Sequence, residues 1–346
     1  MTGITEPMRC LSAATGVLML VLSTPASTQA APRGESGTEG KPGTEDRSGM
    51  GLGGAREAGE DEGRQAGTSS KTEDGKDVDT EHLFGFTEGA DAGEKGEQEA
   101  VVDTVSRIGK RRDGPGRSAY RVLDTRLAYQ FNPIDRLSLE LSAFGTLRRQ
   151  RNVLGLDDKS YGTFDGVSLE VKYQFLKGSK EQPFGLALEV RPRFTRVLPV
   201  EGRGADIVDV ESLLQLDVQV VPDTLWYGSN ISVEPAAGRE RGGPGYRSST
   251  FQWSNALVGR VGDSTYFGPE VRYLRGYEGA FLNRLESEAL TLGPALHHRF
   301  TEKVWLTVAY AGQVWGRDTD PALAGRSLGL NQFERHSLRV KFGMEF

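Results

Sequence analysis

From residue 117 onward the chain repeats one pattern: runs of about ten residues with apolar side chains at every second position, joined alternately by short turns and long polar loops. A period of two is the mark of a β-strand with one apolar and one polar face. In 165–176, Val167, Leu169, Val171, Tyr173 and Phe175 share one face; in 136–149, Leu137, Leu139, Leu141, Ala143 and Leu147 alternate with Ser138, Glu140, Ser142 and Thr146. Further strands are expected at 117–131, 184–196, 210–221, 225–234, 251–261, 266–277, 289–300, 304–315 and 336–346. The short turns centre on residues 133, 180, 223, 263 and 302, and the long loops cover 150–164, 197–208, 235–248, 278–288 and 316–333. No run of 18 apolar residues occurs after residue 30, which excludes a helical membrane span there. A soluble β-sandwich would show similar alternation; a solenoid would need a fixed repeat period, and none is visible.

The last strand, HSLRVKFGMEF, places Leu338, Val340, Phe342, Met344 and Phe346 on one face, with nothing after it to cover them. This ending resembles the closing strand of Gram-negative outer-membrane β-barrels, which typically finish in an aromatic residue that the barrel assembly machinery recognises. The resemblance implies that outer-membrane lipid covers the apolar face and that the polar face lines the interior. It also implies short turns on the periplasmic side, long loops outside and an even strand number. The first clear strand runs down into a short turn, whereas an exported amino end should lie in the periplasm. One more strand is therefore expected upstream, at 98–110, which gives a transmembrane antiparallel up-and-down all-β barrel of about twelve strands over 98–346. Phe131, Tyr173, Phe175, Phe184, Tyr227, Phe267, Phe300 and Phe346 lie beside short turns or the chain end and are expected to form a membrane girdle. Pro192, Pro269 and Pro294 fall inside expected strands, where each removes one ladder donor.

The amino-terminal part is different. Arg9, the apolar run 10–22 and the small residues 23–30 read as a signal peptide. The one cysteine, Cys10, lies inside it, so the mature chain is expected to hold no disulfide and no thiolate metal site. Residues 31–97 are Gly-rich, acidic and without apolar periodicity, and read as a disordered tail. Over 31–100, eight Lys and Arg stand against eighteen Asp and Glu, a net of −10; the whole chain carries −6, which leaves +4 for 101–346. Within the tail, Leu83, Phe84 and Phe86 form an apolar island, EHLFGF, that either docks on the barrel mouth or is a stray cluster. The opposite charges of tail and barrel suggest that the tail enters the lumen from below.

The polar faces direct Arg126, Glu140, Glu170, Lys172, Glu189, Arg191, Arg193, Asp217, Glu234, Glu270, Arg272, Arg299, Arg339 and Lys341 inward. Two readings follow. Either the charges line a water-filled pore for small solutes with a slightly basic lumen, or they pair across neighbouring strands and fill the interior. Barrel width leaves both open at twelve strands. A membrane-embedded lipid-modifying enzyme would need a Ser and a His together on the outer wall. Here His298 faces outward, but no serine carries a nucleophile motif, so no catalytic residue is assigned. His297 and His298 are consecutive and point to opposite faces, and neither a metal site nor a cofactor is expected. A non-conducting structural or adhesive barrel is the remaining alternative. The basic excess is too dispersed for nucleic acid.

Overall fold

A computed structural model describes residues 79–179, 182–323 and 326–346. The signal peptide and the tail up to residue 78 lie outside the described residues. Twelve strands form a closed barrel: β1 (Gln98–Ile108), β2 (Ala119–Ile134), β3 (Leu137–Arg151), β4 (Lys159–Leu176), β5 (Phe184–Val197), β6 (Gly204–Val221), β7 (Leu225–Glu240), β8 (Gly245–Gly262), β9 (Thr265–Glu278), β10 (Arg284–Arg299), β11 (Val304–Asp318) and β12 (His336–Glu345). Each strand is antiparallel to its neighbours, and β1 closes the cylinder against β12 in a ten-residue ladder from Glu99↔Glu345 to Ile108↔His336.

The upstream strand expected from parity is β1. Its pattern is weak because both faces are mixed: Glu99, Val101 and Asp103 are buried, while Ala100, Val102, Thr104 and Ser106 are half-buried on the other face. The long loops are shorter than expected, because β4, β6, β8 and β10 begin several residues before their apolar alternation does. Past the lipid edge the outward side chains no longer need to be apolar, yet the backbone ladder continues, so a hydrophobic pattern stops before the strand does.

The prolines interrupt ladders without shifting them. Opposite Pro192 the β4–β5 ladder skips from Ser168↔Arg193 to Val171↔Val190 in unchanged register. Opposite Pro269 the β8–β9 ladder skips from Ala256↔Glu270 to Gly259↔Phe267, and opposite Pro294 the β10–β11 ladder skips from Leu292↔Gly312 to Ala295↔Ala309. Each proline thus costs a local bond on one side and leaves the face assignment of its strand intact.

The two faces differ in the sense that a membrane barrel requires. Leu141, Val167, Leu169, Ile231, Leu292 and Phe342 stand exposed on the outside, and the expected girdle residues Phe131, Tyr173, Phe175, Phe184, Phe267, Phe300 and Phe346 are exposed with them, Tyr227 being half-buried. An apolar surface encircling a closed sheet far exceeds the few hundred Å² that a water-facing surface tolerates. Inside, by contrast, half of the largest fully buried side chains are polar or charged: Lys172, Gln150, Gln174, Gln215, Glu189 and Asn132.

Candidate functional site: a lumen closed by its own chain

Residues 79–97, read from composition as part of the disordered tail, are packed inside the barrel. They form a re-entrant loop that enters and leaves at the short-turn end. Near its base the Gly96 amide donates to the Asn132 carbonyl (2.7 Å) and the Lys95 amide to Asp135 Oδ1 (2.9 Å), both beside the β2–β3 turn. The two arms meet across the loop where the Gly89 amide donates to the Glu81 carbonyl (3.4 Å). The apex, Gly85 to Glu88, reaches the middle of the lumen.

Its apolar island supplies the packing. Leu83 and Phe84 are fully buried against Trp226, Ala256, Val258 and Tyr266, and Phe86 packs on Ala295, Ala309 and Ala311. Burial of side chains of this size is worth roughly 1.5–3 kcal/mol each. The seat is cut to fit: a Cβ on Gly228 would stand 2.8–3.1 Å from the Phe84 ring, and Gly343 leaves room for the indole of Trp305.

Two wall carboxylates hold the loop by its backbone. Glu270 accepts the amides of Phe86 (2.9 Å) and Thr87 (2.7 Å). Asp217 accepts the Ala90 amide (2.8 Å) and the Thr80 hydroxyl. Two wall cations complete the grip. Lys172 donates to Glu81 (3.1 Å) and to the Gly89 carbonyl (2.9 Å). Arg339 donates to the Gly85 carbonyl (3.1 Å) and to Glu88 (3.0 Å) while also pairing with Asp103 (2.7 Å). His82 stacks on Trp305 at 4.0 Å, with its Nε2 2.7 Å from Glu99, which also accepts the indole N–H.

Burial sets the protonation of the loop. His82 is pushed down to about 3 by desolvation and by Lys341 and Lys172, against Asp79 and Glu88. Asp79 is pushed up to about 6, first by burial and then by Asp91. Burial also works to raise Glu88, but Arg339, with Lys341, Arg191 and Arg126, outweighs it and holds that carboxyl well below its usual range.

Above the loop, toward the long-loop end, the lumen is a cavity of about 1320 Å³. Arg107, Arg148, Arg193, Glu234, Arg247 and Tyr277 are among its lining residues. Most of its deep arginines are paired: Arg107 with Asp124 (2.6 Å), Arg191 with Glu170 (2.6 Å) and Glu211 (3.1 Å), and Arg193 with Asp209 (2.9 Å) and Glu234 (2.6 Å). Arg272 differs. Its guanidinium lies over the Phe86 ring at 4.3 Å and donates to Gln252 (2.8 Å), and among the described residues it makes no ion pair.

The inward residues expected from sequence fall into three sets. Lys172, Asp217, Glu270, Arg272 and Arg339 touch the loop. Arg126, Glu140, Glu170, Glu189, Arg191, Arg193 and Glu234 form the paired network around the cavity floor, Arg126 bonding Glu140 at 2.9 Å. Lys341 is buried, and Arg299 sits at the lower rim donating to the Glu302 carbonyl (3.1 Å). The cations that made the lumen look slightly basic in isolation are partly engaged by the loop acids Glu81 and Glu88. His297 is buried against Thr307 (2.8 Å), while the ring of His298 packs edge-on to Phe300 and lies 2.9 Å from the Thr265 hydroxyl.

A closed cylinder with an apolar outer wall and a charged, polar interior defines the class: an outer-membrane-type β-barrel. A family model described as a family of unknown function, DUF6662, matches residues 76–346, and the chain belongs to that family. The match begins ahead of the re-entrant loop and so takes in loop and barrel together. No curated protein matches the chain. Among solved structures it is similar to the COG4313 outer membrane channel of Pseudomonas putida F1, at 14% identity over 74% of this chain and 98% of that one, with a TM-score of 0.49. It is similar also to the NanC porin (12%, 71% and 98%, TM-score 0.43) and to the Pseudomonas putida toluene transporter TodX (9%, 77% and 96%, TM-score 0.36).

Proposed function

We propose that this chain is an outer-membrane channel for small solutes whose lumen is closed at the short-turn end by residues 79–97. The observation that carries the reading is the division of the lumen: a polar cavity of about 1320 Å³ above, and below it a single loop of the same chain. That loop is held by hydrogen bonds and packing, with no covalent tie in the described residues. A barrel built only for structure has no need of a polar cavity of this size, since ligand sites commonly occupy about 300–1,000 Å³. In this reading the long loops face outward, the tail lies in the periplasm, and solute enters the cavity from outside and passes when the loop withdraws.

The experiment is planar-bilayer conductance of the full chain against two variants: the double substitution Asp217→Asn with Glu270→Gln, which weakens the seat, and deletion of residues 79–92. Rare openings in the parent and stepwise conductance in both variants are expected. Heat-modifiable migration on gels checks that each barrel has folded. Folded variants that remain electrically silent overturn the reading.

A further inference from the structure

Directly above the seat of the loop, five adjacent strands contribute one continuous row of inward side chains. Gln215 on β6 is paired in register with Asn230 on β7, Asn230 with Ser254 on β8, Ser254 with Arg272 on β9, and Arg272 with Thr291 on β10. The row below it, Asp217, Gly228, Ala256 and Glu270, is the one that receives Phe84 and the loop amides. All five members of the upper row are hydrogen-bonding residues, and each has a buried polar atom without a partner among the described residues: Gln215 Oε1, both amide atoms of Asn230, Ser254 Oγ, Arg272 Nε and Thr291 Oγ1. Gln215 and Ser254 are fully buried and Asn230 nearly so.

Buried polar atoms in folded proteins are nearly always satisfied, and an unmade bond costs the desolvation of the group. One such atom is an accident of packing, but a register row of five residues is a surface built for something that the docked loop displaces. The nearest loop residues, Phe84 and Phe86, offer it aromatic carbon. The row presents acceptors (two amide oxygens), donors (the Asn230 amide and the Arg272 Nε) and two hydroxyls that serve as either. That mixture matches a chain of hydroxyl groups, each of which both donates and accepts. Arg272 adds a guanidinium without a carboxylate partner among the described residues, and it is the member of the row that opens on the cavity above.

We propose that Gln215, Asn230, Ser254, Arg272 and Thr291 form a recognition belt for a polyhydroxylated solute bearing one anionic group, covered while the loop is docked and exposed when it withdraws. The anionic group approaches from the cavity and docks on Arg272; the hydroxyls follow along the row toward β6. The proposal deepens the channel reading, because the belt lies between the seat of the loop and the cavity.

The test uses the full chain carrying Asp217→Asn and Glu270→Gln in detergent, with gluconate, sorbitol and acetate as calorimetric probes. Gluconate is expected to bind at least tenfold tighter than either sorbitol, which lacks the charge, or acetate, which lacks the hydroxyls. Adding Arg272→Gln should bring gluconate down to the level of sorbitol, and adding Asn230→Ala should weaken gluconate and sorbitol alike. The unmodified chain, with its belt covered, should bind gluconate at least tenfold more weakly than the seat variant. Equal affinity for gluconate and acetate, or no effect of Asn230→Ala in a folded protein, overturns the belt. Binding is read without any current, so the two ideas fail separately. Conductance without gluconate binding removes the belt and leaves the channel; binding without conductance does the reverse.

Discussion

At the scale of single residues, Glu270 is the one on which the closed state leans most. It accepts two backbone amides from the loop apex, and hydrogen bonds to a charged group are worth roughly 1.5–3 kcal/mol each against about 1 for a neutral one. Glu270→Gln alone is therefore expected to weaken docking by about 2 kcal/mol, roughly a thirtyfold shift in the docked population. Labelling of a cysteine placed at Phe86 by a soluble thiol reagent should accelerate accordingly. A labelling rate equal to that of the parent would show that Glu270 does not hold the loop. Sequence placed Glu270 on the inward face because period-two alternation fixes a face. It left the partner out of reach, since a backbone amide leaves no mark in the residue string. The belt was illegible for a related reason: Gln, Asn, Ser and Thr read as ordinary polar-face residues until register aligns them.

At the scale of elements, the loop is the part that composition misjudged. Leu83, Phe84 and Phe86 stood out as an island, but the surrounding Gly, Glu and Asp outweighed three apolar residues in any average over the tail. The loop folds because the barrel supplies the other half of its core and of its hydrogen bonds, and a segment whose partner is the wall of a cylinder has no periodicity of its own. Its pH response contains opposed parts. His82 has its pKa lowered to about 3 on docking, so its contribution is fully present above about 6.5 and is lost as pH falls through the window down to about 3. Asp79 is raised to about 6, so docking gains as pH falls from about 6 to about 3.8. Burial also holds the Glu81 carboxyl well above its usual range, which acts in the same direction as Asp79, while Glu88, held well below its range chiefly by Arg339, acts with His82. In His82→Gln the two raised carboxyls Asp79 and Glu81 dominate between pH 7 and pH 4, because Glu88 loses its contribution only below about 4.5. Docking should tighten over that range, seen as slower labelling at position 86 at the lower pH. Looser docking of that variant at pH 4 would contradict the assignment.

At the scale of the whole molecule, the outward apolar band decides where the barrel is stable. Leu169 lies on the outer wall of β4, flanked by Val167 and Val171 on the same face. Leu169→Arg is expected to cost about 2–4 kcal/mol in lipid bilayers, as arginine does near the midplane of such barrels. Equilibrium unfolding from vesicles measures it, and a neutral effect would argue that this wall does not face hydrocarbon. Strand number, direction and face were largely legible, because the lipid imposes strict alternation on 165–176 and 336–346 and the parity of short and long connections demands β1. Strand length was not, since β4 and β8 run on beyond the lipid where no solvent enforces a pattern.

The wall grips its loop at 85–90 mainly through main-chain atoms: the amides of Phe86, Thr87 and Ala90 and the carbonyls of Gly85 and Gly89. Such a clasp reads the path of a peptide rather than its spelling. Side chains along that stretch are thus free to drift over generations wherever they do not press on the wall, while Asp217, Glu270, Lys172 and Arg339, which hold it, are not.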